Sequence, residues 1–267
     1  IDPQSKHHNK VRDILIEKGF IVKIASNITS SNHKKFIAKN LHISPGWFDM
    51  HTNFRDPGFE YKEDIESGCK AATKGGFTAV LLMPQTKPVI DNSAQVQYVK
   101  NKTKDKIIDV FQSGSITNAM QGKDLVEMHD MKNAGVIAFT DDKKSIQKNE
   151  VLKLALLYSK DFDGLIMNFP NDAGVALNGQ INEGKISASL GLKGIPNIAE
   201  EIMIDRDISL CNYTEGNLHL SYISTSGSVT KIKKAKKKGL NISADVALHN
   251  LFLTDEQITH FDSRFKV

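Results

Sequence analysis

Phe48-Asp49-Met50-His51-Thr52-Asn53-Phe54-Arg55-Asp56-Pro57-Gly58 is the stretch from which this chain is read. An apolar lead-in, Trp47 and Phe48, runs into alternating residues and breaks at Pro57-Gly58, the pattern of a buried strand ending at a turn. At a period of two, Asp49, His51, Asn53 and Arg55 share one face. Burying that face costs desolvation energy unless its groups are hydrogen-bonded to one another or work as a site. Both readings stand at this point.

Working outward, the N-terminal residues 1–42 differ from the rest. Val11–Ile16 and Phe20–Ile24 are short apolar-rich runs around Glu17-Lys18-Gly19, which predicts a β-hairpin with Gly19 in its turn. From Ile43 onward the pattern becomes regular. Trp47–Met50, Phe77–Met83, Ile107–Phe111, Val136–Phe139, Leu165–Phe169, Leu218–Ile223 and Ile242–Val246 read as strands. Amphipathic or charged segments such as Tyr61–Lys74, Ala94–Lys104 and Leu125–Asn133 separate most of them, and Gly75-Gly76, Gly135 and Gly239 punctuate helix ends. Strand–helix alternation with short links predicts a parallel sheet, and this many units predict a (β/α)8 TIM-type barrel without its last strand and helix. A doubly wound open sheet is the alternative, but no Gly-x-Gly-x-x-Gly follows any strand.

The opening stretch resembles the Asp-x-His-x-His-x-Arg-x-Pro-Gly signature of dihydroorotases, cyclic-amide hydrolases of the amidohydrolase superfamily. Phe54 through Gly68, Gly75-Gly76-Phe77-Thr78, Met83-Pro84, Ala138-Phe139-Thr140-Asp141-Asp142, Asn182-Glu183-Gly184 and Ile223-Ser224-Thr225 match the same family in order and spacing. The resemblance implies the barrel at 43–267, a small β-sandwich of which 1–42 supplies part, and cyclisation of carbamoyl-aspartate to dihydroorotate in pyrimidine biosynthesis. It also implies zinc, which polarises the amide carbonyl and generates hydroxide. His51 falls at the first metal ligand and Asp142 at the bridging carboxylate. Asn53, Phe169 and Tyr222 replace three ligand histidines. The family's ligand and general-base aspartate belongs to a later segment, beyond Val267. Arg55 and Gln85 fall at substrate positions, with Arg55 suited to a bidentate bond to a carboxylate or, alternatively, to a salt bridge with Asp49 or Asp56. Lys143 replaces a glycine of the substrate loop.

Two strong ligands of that set remain, which predicts weak zinc binding or none, and weak or lost catalysis. No compensating motif is evident. His219, an odd number of residues from Tyr222, is expected on the opposite strand face, and His249 reads as a loop histidine or a stray ligand. Three functions follow: an active dihydroorotase, a non-catalytic structural or regulatory partner of aspartate carbamoyltransferase, or another cyclic-amide hydrolase such as an allantoinase or hydantoinase. The motif set and the aspartate at 142 disfavour the last. The resemblance also implies a homodimer.

Composition limits the remaining classes. With 267 residues, 40% hydrophobic and 25% charged, the chain can build one large core. No apolar run approaches a membrane span and the start lacks a signal-peptide pattern. Cys69 and Cys211 lack metal-type spacing and suggest reduced thiols in a cytoplasmic protein. The basic run Lys231–Lys238 carries no interleaved aromatics and reads as a solvated helix face, not a nucleic-acid surface.

Overall fold

The computed structural model describes residues 1–29, 33–258 and 263–265. The chain divides into two compact units, Ile1–Trp47 and Phe48–Val267.

The first unit carries the predicted hairpin. Strands β1 (Asp13–Glu17) and β2 (Phe20–Ala25) pair antiparallel with Glu17 opposite Phe20. The two turn residues, Lys18 and Gly19, have φ of 50° and 83°, the left-handed pair that matches the twist of a tight hairpin.

The second unit is an α/β alternation in which each helix has a local cause. Strand β3 (Trp47–Thr52) leads to α1 (Ile65–Lys74), whose N-terminus is capped reciprocally by Asp64 and Ser67. Strand β4 (Phe77–Leu82) is followed by α2 (Ser93–Thr103), capped by Asn92. Then come β5 (Asp109–Gly114) and α3 (Met128–Ala134), which Gly135 ends in the left-handed conformation at φ 119°. Next are β6 (Val136–Thr140), α4 (Asn149–Lys160) and β7 (Leu165–Asn168). An excursion follows through α5 (Ala173–Ala176), β8 (Ile181–Asn182), α6 (Lys185–Leu190) and β9 (Gly194–Ile195), with β8 and β9 pairing only with each other. The unit closes with α7 (Ile198–Thr214), β10 (Asn217–Leu220), α8 (Ser226–Lys237) and β11 (Ile242–Ala244).

Seven strands form one sheet in the order β11-β10-β7-β6-β5-β4-β3. The registered pairs within it run parallel. The sheet curls, because a side chain from β3 at one edge hydrogen-bonds a residue just past β11 at the other: His51 Nε2 lies 2.5 Å from Asp245 Oδ2. An eighth barrel strand is not among the described residues. The architecture is thus a curled, seven-stranded parallel sheet of the TIM-barrel kind, surrounded by helices.

Alternation sorts the strand residues into two layers. Val80, Leu82, Ile166, Leu218 and Leu220 join the large core beneath the helices with Leu152, Leu156 and Ile204. Leu81, Met83, Ala138 and Met167 form a smaller cluster inside the curl, with Met50 and Leu165 packed against it. His219 stands in register with Met167 on one neighbour and Ser243 on the other, which places it in this inner layer.

Candidate functional site

Chemistry in such a fold belongs at the C-terminal strand ends. Here those ends are held by three carboxylates, those of Asp141 and Asp207 buried and that of Glu200 half-buried. Asp141, after β6, accepts from the backbone N–H groups of Ile116 and Thr117 at 2.8 and 3.1 Å and from the Thr117 hydroxyl, fixing the loop after β5. Asn168 at the end of β7 donates to Asp207 of α7 at 2.7 Å, and Arg206 joins the same carboxylate to the carbonyl of Ile146. Glu200 accepts from the N–H and hydroxyl of both Ser224 and Thr225, at 2.6 to 3.1 Å. The strand-end loops are therefore positioned before any ligand arrives.

Three residues within this frame have left-handed backbones: Arg55 at φ 63°, Asp142 at 53° and Tyr222 at 57°. Each lies two or three residues beyond its strand, where the chain turns. Non-glycine residues in this region carry strain of roughly 1–3 kcal/mol, and such strain gathers at functional positions.

The central feature is a carboxylate shared by two imidazoles. Asp245 Oδ2 lies 2.5 Å from His51 Nε2 and 2.8 Å from His219 Nε2. Its Oδ1 accepts the Tyr222 N–H at 2.7 Å. The other nitrogen of His219, Nδ1, is 2.8 Å from Ser243 Oγ. Burial by itself would raise the Asp245 carboxyl, but the hydrogen bonds from His219 and His51 outweigh it and hold the group well below the usual carboxylate range.

His219 corrects the sequence expectation, since it faces His51 and the inner layer. The odd spacing from Tyr222 misleads because β10 ends at Leu220 and Tyr222 is left-handed, so strand alternation does not extend to it. Hydropathy gives Asp245 no site signal in the apolar run Ile242–Val246, which reads as strand throughout, whereas β11 ends at Ala244 and Asp245 follows it. The signal lay in the pair Ser243 and Asp245, two apart on one strand face.

The other expected site residues separate into groups. Tyr222 lies over His51 with ring centroids 4.2 Å apart, Phe169 meets Tyr222 edge-on at 6.1 Å, and Lys143 Nζ lies 5.6 Å from the Tyr222 ring centre. Burial, then the carboxylates of Asp142, Asp245 and Asp49, push the Tyr222 phenol far up, so it stays protonated. Arg55 donates to Gln85 Oε1 at 3.4 Å, joining the two candidate substrate residues. Asp142 is buried with neither carboxylate oxygen paired. Burial raises its carboxyl, against the charges of His51, Lys143 and Arg55. Asn53 and Asp49 line a cleft of about 260 Å³ with Gly68, Ala71 and Ala72 of α1. His249 lies in the short turn Leu248–Leu251, outside the cluster. Both cysteines are buried, and burial pushes the Cys211 thiol up to about 11, so neither is an activated nucleophile.

The zinc-ligand positions implied by the dihydroorotase resemblance do not fit that metal here. Phe169 has no donor atom, the Tyr222 phenol stays protonated, and Asn53 offers a neutral amide. Of that set, His51 and Asp142 alone carry strong ligand atoms, and His51 Nε2 is engaged by Asp245.

The fold has close counterparts among solved structures. The L-hydantoinase (dihydropyrimidinase) from Arthrobacter aurescens superposes with a TM-score of 0.73 over 92% of this chain and 56% of its own, at 17% identity. A dihydroorotase from Saccharomyces cerevisiae superposes with a TM-score of 0.58 over 82% of this chain and 60% of its own, at 15% identity. These likenesses show the fold, a curled parallel sheet of the TIM-barrel kind.

Sequence narrows the class. Residues 41–228 match the dihydro-orotase-like family. The dihydroorotase of Acetivibrio thermocellus is 42% identical over 268 residues, covering 100% of this chain and 63% of that protein. The dihydroorotase of Ruminiclostridium cellulolyticum is 40% identical over 97% of this chain and 61% of its own length. The chain belongs to the dihydroorotase family, and it spans somewhat over three-fifths of the length of these relatives.

Proposed function

We propose that this is a dihydroorotase-family protein of pyrimidine biosynthesis that has lost its hydrolytic centre and retains a carboxylate-binding strand-end surface. The observation that carries this reading is Tyr222 stacked on His51 at 4.2 Å while Asp245 engages His51 Nε2. Hydrolysis of a cyclic amide requires a water whose pKa is brought down toward neutrality beside a polarised carbonyl. One ring face of His51 is covered by Tyr222, whose phenol is neither a base nor a ligand at neutral pH.

Arg55 and Gln85 support ligand binding. A guanidinium offers a planar fork to a carboxylate, and the Gln85 amide beside it suits a ureido or ring-amide group. Carbamoyl-aspartate and dihydroorotate carry both chemistries. The test is a spectrophotometric assay of dihydroorotate hydrolysis, with and without added zinc, beside binding of both compounds followed by NMR. No turnover is expected, with binding that falls by about 10- to 100-fold in Arg55→Ala. Turnover above background, lost in His51→Ala, overturns the reading.

A role as a structural or regulatory partner of aspartate carbamoyltransferase is the second reading. Val246, Leu248, Leu251 and Phe252 support it, as an exposed apolar run just after β11. Co-elution of the two purified proteins on size exclusion, lost in Leu248→Glu/Phe252→Glu, is the expected result. Separate elution at micromolar concentration removes it.

A further inference from the structure

We propose that His51, His219 and Asp245 form a divalent-metal site of the zinc class, joining the two edges of the curled sheet. Its donors are the Nε2 atoms of the two histidines and Oδ2 of Asp245, all within 4.8 Å of one another. The set shares His51 alone with the ligand positions that the family resemblance implies. His219 comes from β10 and Asp245 from the end of β11.

Two of the three donors, His219 and Asp245, are held by outer partners. The contact between His219 Nδ1 and Ser243 Oγ fixes the ring, and when Nδ1–H donates to that hydroxyl, the Nε2 lone pair faces Asp245. This outer partner is what a metal-binding imidazole ordinarily has. The Tyr222 N–H holds Asp245 Oδ1 and leaves Oδ2 for the histidines. In metal-free protein the imidazole Nε2–H groups donate to Asp245 Oδ2, and a dication bound there takes the place of those protons.

Asp142 is the second, independent observation. It is 3% exposed, and neither of its oxygens has a partner. Burial raises its carboxyl, and the groups whose charges oppose that are His51 of the trio, then Lys143 and Arg55. A buried, unpaired carboxylate calls for a counter-charge, and a dication held by the trio supplies one.

Bonds of about 2.0–2.1 Å in a tetrahedral site set ligand atoms about 3.3 Å apart, so loading spreads these contacts by about 0.5–0.8 Å. His51 sits on one edge strand of the sheet and Asp245 just past the other. With Tyr222 over His51, the ion serves as a tie between edges. The site shares the contact between His51 and Asp245 with the functional reading above, and turnover plays no part in its test.

Cobalt(II) is the probe. Chelator-treated protein is titrated with Co²⁺, followed by visible absorption and equilibrium dialysis, with zinc as competitor. About one Co²⁺ per chain is expected, displaced by zinc and accompanied by a higher melting temperature. Binding is expected to be lost in His219→Gln and in Asp245→Asn, weakened about 10- to 100-fold in Ser243→Ala, and unchanged in Asn53→Ala. Should the buried-site variants fail to fold, the wild-type protein still decides: zinc loading must shift the imidazole nitrogen resonances of His51 and His219. Absence of binding by folded wild-type protein overturns the site. So does binding undiminished in His219→Gln and Asp245→Asn, or zinc loading that leaves the His219 resonance unmoved.

Discussion

At the residue scale, the site's behaviour follows from side chains placed where their usual partners are absent. Tyr222 contributes its ring, which covers His51, and its backbone N–H, which orients Asp245. Its hydroxyl does neither, so Tyr222→Phe should change stability by less than about 0.5 kcal/mol and leave cobalt affinity unaltered. A large loss in either measurement would give the phenol a role that this geometry does not. Gly58 presents the opposite case. Its φ is +94°, and a Cβ there would lie 2.0 Å from the carbonyl oxygen of Lys87. The loop bearing Arg55 thus packs directly onto the loop bearing Gln85, and no flexible side chain can move aside. Gly58→Ala should cost more than about 3 kcal/mol by urea denaturation, because backbone strain and overpacking act together.

At the element scale, the helices are fixed to the strand-end loops by single carboxylates. Glu200 on α7 takes two N–H groups and two hydroxyls from Ser224 and Thr225, and Thr225 in turn caps α8. Glu200→Ala leaves those donors to water and loosens the cap, so a loss of about 2–3 kcal/mol is expected, with Glu200→Gln intermediate. Amide exchange in the first turn of α8 should quicken in step, and unchanged exchange there would show that Thr225 caps the helix unaided. Elements of this kind were legible in the sequence because burial repeats: every strand of the sheet was expected within a few residues of where it lies. Their ends were less legible. Face alternation does not reach from His219 to Tyr222, because β10 ends at Leu220, and the run to Val246 hides Asp245 just past the end of β11 at Ala244. The hydrophobic pattern reports which residues are buried along an element, and carries little information about where the chain leaves it.

At the scale of the whole barrel unit, the question is what joins the edges of a seven-stranded sheet. Contact between His51 and Asp245 does so directly, and both residues are mostly buried, with side-chain exposures of 10% and 22%. Removing the carboxylate in Asp245→Ala strands two imidazoles and a backbone N–H, which should cost about 2–4 kcal/mol. Hydrogen exchange should accelerate first in β3 and β11, while β6 and β7 at the centre of the sheet stay protected. Asp142 predicts the reverse sign. Its burial raises its pKa, so the ionised carboxylate is less stable folded than unfolded, and the penalty is present wherever the group is charged in both states. Asp142→Asn keeps the shape and deletes that charge. In metal-free protein at neutral pH it should therefore stabilise the fold by about 1–3 kcal/mol. The gain should shrink as pH falls through the raised native pKa, because the wild-type carboxyl then becomes neutral as well. Zinc should also narrow the difference, since it adds a dication to the positive charges of His51, Lys143 and Arg55 that already act on Asp142. Urea melts of the two proteins at neutral and acid pH, with and without zinc, read both effects. Destabilisation by Asp142→Asn in the metal-free protein would mean that the carboxylate has a partner in solution and that the cluster needs no further cation.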